Sequence, residues 1–272
     1  MPVISQSPPP PIIAERTRNA IASASSKTGV DFGFLVNQAR IESGFNPAAR
    51  AATSSATGLY QFTKQTWLGT LKAHGAKHDL NWAANAISQQ PGGGYAVDDP
   101  ELRQAILDLR TQPEAASAMA AELASDNSDF LSAKLDRAPK QVDLYLAHFL
   151  GEAGASQFLA AHDRSPDAAA ATALPQAAAA NRPIFYNADG SSRSFREIRD
   201  NFARKFGGTY APQMSPRSMG SASPPAISVQ ANIASEMPQM RGFEAMPQRL
   251  SLEFARSTYQ RLASLPHSGA TQ

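Results

Sequence analysis

The chain has no cysteine at all. That excludes a disulfide, a thiolate metal centre and a cysteine nucleophile, and it leaves the redox compartment undecided. It also has no run of about 18 apolar residues, the length a membrane-spanning helix needs. The opening residues, Met1-Pro-Val-Ile-Ser-Gln-Ser7 and the prolines after them, lack a basic region followed by an apolar stretch of signal-peptide length. If the protein works outside the cytoplasm, its address has been removed, lies outside this chain or is unconventional. Charge of either sign is scarce: 25 Lys and Arg against 23 Asp and Glu leave a formal charge of +2. That is too mild to predict nucleic-acid binding. Carboxylates are missing altogether between Glu42 and Asp79.

What remains is enough for one medium domain with tails. The length is 272 residues and the hydrophobic content 42%, which permits a proper core. Prolines gather toward the two ends. Residues 1–11 read as a flexible proline-rich arm, and 211–272 as a disordered tail rich in Pro, Ser, Met and Gln, with a candidate short helix over 250–265. Between them the periodicity is helical and the expected fold class is mainly α, with little β structure. Ile12 to Ser26 forms a modest amphipathic helix that Gly29 ends, and Asp31 caps the next. That second helix carries Phe34, Leu35, Gln38 and Ile41 at spacings of three and four. Thr63 opens a helix bearing Trp67, Leu68 and Leu71. Residues 75–100 read as a long connection anchored by Trp82 and Ile87. Helices follow over 102–109, 114–124 and 126–135. Gln141 to Leu150 has the densest apolar content and is the expected central helix; Gly151 ends it, and a helix resumes near Ala155. Residues 163–181 read as a short helix and linker. Ser194-Phe-Arg-Glu197 is a capping box opening a helix with Phe195, Ile198, Phe202 and Phe206 on one face, stopped by Gly207-Gly208.

Chemistry concentrates on Glu42. It stands at the C-terminal end of its helix, where the helix dipole disfavours its charged form. Asn46-Pro47 then turns the chain into a stretch of Ala, Ser and Thr that closes on Gly58-Leu-Tyr-Gln61. A glutamate in an apolar setting is suited to general-acid work on a glycosidic oxygen. The usual glycosidase needs a second carboxylate, and only the remote Asp79, Asp98, Asp99, Asp143 and Glu152 are available. A sugar carrying its own nucleophile would need none.

The run Glu42-Ser-Gly-Phe45 with Asn46-Pro47, followed by Gly58-Leu-Tyr-Gln61, resembles the first two motifs of the soluble lytic transglycosylase family, with Tyr60 where the family has Met. The resemblance implies a goose-lysozyme-like helical domain that cleaves peptidoglycan. It further implies Glu42 as the single catalytic acid/base and a 1,6-anhydromuramoyl product made without water. A later family motif, Ala-Tyr-Asn-x-Gly, is represented by Ala147-His-Phe-Leu-Gly151, so His148 replaces the tyrosine that usually meets the glutamate. Tyr145, one turn earlier, is a substitute. Expected substrate contacts are Ser43, Gly58, Leu59, Tyr60, Gln61, Tyr145 and His148. Gln61 is either a backbone tether or part of the cleft, and Tyr60 either core or a platform for a sugar ring.

The resemblance covers about residues 12–160, with 181–206 packed on it, so that 12–210 forms the catalytic domain. It implies glycan strands as partner, no cofactor, and a place in the periplasm or cell envelope. Alternatives are a non-catalytic peptidoglycan-binding or assembly module, its tail docking a protein of an envelope machine, and a hydrolytic muramidase. His74 and His78 sit four apart beside Asp79. Lys72, Lys77 and the lack of a further ligand argue against a metal there.

Overall fold

The structure is a computed structural model that describes residues 13–52 and 54–207. The proline-rich arm, the tail and its candidate helix 250–265 lie outside the described residues.

Two helices open the fold. α1 (Glu15–Thr28) ends at Gly29, whose φ of 77° is the left-handed cap expected of glycine. α2 (Phe32–Ser43) starts on Asp31, which accepts the Phe34 amide at 2.7 Å. After the loop 44–63 comes α3 (Lys64–His74), capped by Thr63. Its Trp67 is fully buried and donates its indole N–H to Ile106 O at 2.8 Å.

Residues 75–100 are more ordered than a connection. A 3-10 turn at Gly75–His78 leads into α4 (Asn81–Ala86), then into a two-stranded antiparallel hairpin, β1 (Ser88–Gln89) and β2 (Tyr95–Ala96). The hairpin is tied back to α3 by the Gln65 amide, which gives to Tyr95 O at 3.1 Å and takes from Tyr95 N at 2.8 Å. Ile87 anchors the segment as expected, being 1% exposed. Trp82 does not: it is 45% exposed.

α5 (Pro100–Asp108) and a short 3-10 turn, Leu109–Thr111, precede α6 (Pro113–Leu135). The sequence reads as two helices over this last stretch, yet α6 runs through Ser125-Asp126 without a break. Ala124, Asn127 and Leu131 keep the buried stripe at spacings of three and four while Asp126 and Asp129 point to solvent. α6 packs along both α1 and α7 (Gln141–Arg164). α7 is the expected central helix. It is interrupted at Gly151, whose φ of 75° and ψ of 160° break the helical path before the helix resumes. Three short helices, α8 (Ala170–Ala173), α9 (Pro175–Ala180) and α10 (Arg182–Phe185), lead to α11 (Phe195–Phe206). The capping box is formed: Ser194 accepts the Glu197 amide at 3.1 Å, and Glu197 accepts the Ser194 amide at 2.8 Å.

α11 lays its phenylalanine face on α7 and α2. Phe202 contacts Tyr145 and Phe149, and Phe206 contacts Tyr145 and Phe34, with ring centroids 4.9–5.8 Å apart. Burying each of these rings contributes about 1.5–3 kcal/mol. The order of events is thus a helix pair that carries Glu42, a central helix that faces it, and a late helix that braces the central one.

Candidate active site

Glu42 is placed by the period of α2. Leu35, Gln38 and Glu42 are successive members of one stripe at i, i+3 and i+7, and all three are buried, Glu42 at 0% exposure. The helix then ends abruptly. Gly44 and Phe45 both adopt left-handed backbone, φ 60° and 67°, and their amides return to Arg40 O and Ala39 O. The Ser43 hydroxyl lies 3.1 Å from Ala39 O and 2.8 Å from Leu59 O, so its single proton joins the helix end to the Gly58–Gln61 loop.

From the other side, α7 brings two side chains to the same oxygen. Tyr145 OH stands 3.3 Å from Glu42 Oε1, and His148 Nε2 stands 3.4 Å from it. The two rings are nearly parallel, 6.0 Å between centroids. Both approaches are longer than an ordinary hydrogen bond of ~2.8 Å, as catalytic contacts often are before substrate arrives. Both Tyr145 and His148 thus stand close to Glu42 Oε1. Behind them, Gln38 Nε2 is 3.1 Å from His148 Nδ1.

The Gly58–Gln61 loop frames this pair rather than lining a cleft with side chains. Gly58 has φ of 88°, and its N–H donates to Ala49 O at 2.8 Å. Leu59 and Gln61 are 0% exposed and Tyr60 is 1% exposed. The expectation of Tyr60 as a sugar platform is corrected: its ring lies in the core, and burial pushes the phenol pKa upward, an effect the neighbouring Ser117 only partly offsets. Gln61 is a tether, its Nε2 donating to Gly58 O at 2.8 Å and Ala49 O at 3.1 Å. Leu59 packs in the hydrophobic core. With Leu59 and Gln61 buried in this way, neither side chain is presented as a contact surface.

Two parts of the arrangement carry no motif signal. Arg110 is buried, and its guanidinium donates to three backbone carbonyls: Leu107 O at 2.9 Å, Ser55 O at 2.8 Å and Phe62 O at 3.2 Å. Burial, with Arg50 adding to it and Asp108 opposing, brings its pKa down to about 10, so it stays charged at neutral pH. Asp143, 0% exposed, accepts from Arg137 at 2.9 Å, Arg199 at 2.8 Å and the Lys140 amide at 3.0 Å. It fastens the start of α7 to α11. Burial alone would raise the Asp143 pKa, yet those donors outweigh it and hold the group below the usual carboxylate range. Gln38 did leave a trace in the sequence, as the polar residue among Phe34, Leu35 and Ile41.

Of the remote carboxylates, Asp99 and Asp143 are engaged in other work. Asp99 caps α5 through the Leu102 amide at 2.8 Å, and Asp143 is saturated by its arginines. Glu152 is raised in pKa by burial and by the charge of Asp126, which places it toward a separate cluster. In that cluster His74 lies 3.0 Å from Glu122 and 2.7 Å from Asp126, while His78 lies 2.8 Å and Lys77 3.1 Å from Glu122. These contacts pin the end of α3 and the turn after it to α6. Among the described residues no group of three or more His, Asp or Glu is arranged to hold a metal ion, and no helix is long and apolar enough to cross a membrane.

Fold and site together define a mainly α-helical domain in which a helix-end glutamate meets a phenol and an imidazole on a central helix. Residues 19–85 match the family model described as the Transglycosylase SLT domain. Over those residues the chain is similar to the Transglycosylase SLT domain, a lysozyme-like helical fold. The matched stretch holds Glu42 and the Gly58–Gln61 loop and stops before α7.

Proposed function

We propose that the protein is a peptidoglycan lytic transglycosylase, with Glu42 as the sole acid/base. In the acid form Glu42 gives its proton to the oxygen joining N-acetylmuramic acid C1 to N-acetylglucosamine. As that bond breaks, positive charge develops at C1. The resulting carboxylate takes the proton of the muramoyl C6 hydroxyl, whose oxygen closes on C1. The product is a 1,6-anhydromuramoyl end, and atoms balance without water. Tyr145 and His148 present donors to Oε1 when it carries charge, and they orient it in both halves of the cycle. Ser43, Gly58 and Gln61 hold the loop that the glycan strand would pass.

The observation that carries this reading is the convergence of Tyr145 and His148 on one oxygen of a glutamate that has no acidic neighbour in sequence before Asp79. Residues 12–210 act as one catalytic unit in this reading, since α11 braces Tyr145. The work place is the periplasm or cell envelope, and an envelope-machine protein is the partner for the tail.

The full burial of Glu42 favours a second reading, a peptidoglycan-binding or assembly module that keeps the fold without turnover. One digestion separates them. The purified chain is incubated with peptidoglycan sacculi and the soluble products are weighed by mass spectrometry. Anhydro ends, lighter by one water than hydrolysis products, are the expected result. Reducing ends would make it a hydrolytic muramidase; sacculus binding without release would make it a module.

A further inference from the structure

We propose that Gln38 is a positioning residue: its carboxamide fixes His148 as the neutral tautomer with the proton on Nε2, aimed at Glu42. The inference rests on the reading of Glu42 as the acid/base.

The geometry is a bridge. Gln38 and Glu42 are four residues apart on one stripe of α2, and the imidazole of α7 spans them. Its Nδ1 is 3.1 Å from Gln38 Nε2, and its Nε2 is 3.4 Å from Glu42 Oε1. Gln38 is 3% exposed and His148 8%. A glutamine nitrogen can only donate, so Nδ1 must offer its lone pair and the ring proton must sit on Nε2. An imidazolium would set an N–H against that NH2 group. Gln38 Oε1 is buried with no hydrogen-bond partner among the described residues, so the assignment rests on the Nε2–Nδ1 contact.

Glu42 from α2 and Tyr145 from α7 face the ring, with Arg40 of α2 electrostatically coupled to Tyr145. α11 sets Phe202 and Phe206 against Tyr145. A neutral donor at this place has a mechanistic effect. It steadies Oε1 without being a second acid, so the proton delivered to the sugar comes from Glu42 alone. Turning the amide over would put Oε1 on Nδ1 and favour an imidazolium paired with Glu42, a buried ion pair with its own desolvation cost.

The test is histidine nitrogen NMR on the full chain, with the His148 signal assigned by its loss in H148Q. The expected spectrum has Nδ1 bare and Nε2 protonated. Gln38→Leu is expected to give a tautomer mixture and about a tenfold lower turnover with KM unchanged, for loss of one orienting contact. Gln38→Glu is expected to draw a proton to Nδ1 and move the pH profile of anhydro-product release. Protonated Nδ1 in the unmodified protein overturns the proposal, as does an unchanged His148 signal in the Leu variant. If Gln38→Leu fails to fold, the unmodified protein's spectrum decides alone. Absence of anhydro products would sink the catalytic reading and leave the tautomer result standing by itself.

Discussion

Gly58 and Arg110 meet backbone to backbone: a Cβ built on Gly58 would stand 1.8 Å from Arg110 O. The φ of 88° at Gly58 adds a second demand that other residues meet poorly. Gly58→Ala is therefore expected to destabilise the fold by about 3 kcal/mol or more. Urea unfolding of the variant measures this; a loss under about 1 kcal/mol would mean that the loop relaxes freely.

Arg110 itself is a tie rather than an ion-pair partner. Arg110→Met keeps much of the buried volume but leaves the carbonyls of Leu107, Ser55 and Phe62 without their donor. A loss of about 3 kcal/mol is expected, together with faster proteolysis within 48–62. Limited digestion with mapping of the cut sites checks the second part.

Asp143 sets an acid limit. Its pKa is depressed in the folded state, so the stability it contributes is present above the ordinary aspartate value of ~3.9 and is lost as pH falls through the depressed value. Asp143→Asn leaves Arg137 and Arg199 facing a neutral group, with an expected loss of about 3–5 kcal/mol at pH 7. The difference between the two proteins should shrink toward pH 2. Melting curves across pH 2–7 give the comparison.

Tyr145→Phe removes one donor from Glu42 Oε1 while keeping the ring on Phe202 and Phe206. Turnover is expected to fall about tenfold, or about 1.4 kcal/mol in barrier, with stability changed by about 1 kcal/mol or less. Anhydromuropeptide release and a thermal melt measured on one preparation separate the two effects.

Glu42→Gln keeps the shape and removes the proton shuttle. Release of anhydro products should stop, while sacculus binding and the helical circular dichroism stay as they were. Activity retained in this variant would refute the assignment.

Much of this was legible beforehand. α2, α3, α7 and α11 follow from apolar spacing and from side chains at their ends, Asp31, Thr63 and Ser194, whose oxygens accept helix amides. The burial of Glu42 at a helix end and the left-handed turn at Gly58 agree with their order in the chain. The misreadings share one cause: a sequence shows what a residue is but not what surrounds it. Tyr60 has the chemistry of a sugar platform and the surroundings of a core residue. Trp82 reads as an anchor and faces solvent. Arg110 has no pattern around it, because its acceptors at Ser55 and Phe62 lie far away along the chain. Ser125-Asp126 reads as a break by polarity, yet the buried stripe of Ala124, Asn127 and Leu131 passes it by.

The matched stretch, 19–85, contains Glu42 but neither Tyr145 nor His148, which arrive on α7, Tyr145 propped by α11. The border of the family match and the border of the candidate site therefore differ in this chain. Grafting the matched stretch into a relative would carry Glu42 across and leave Tyr145 and His148 behind.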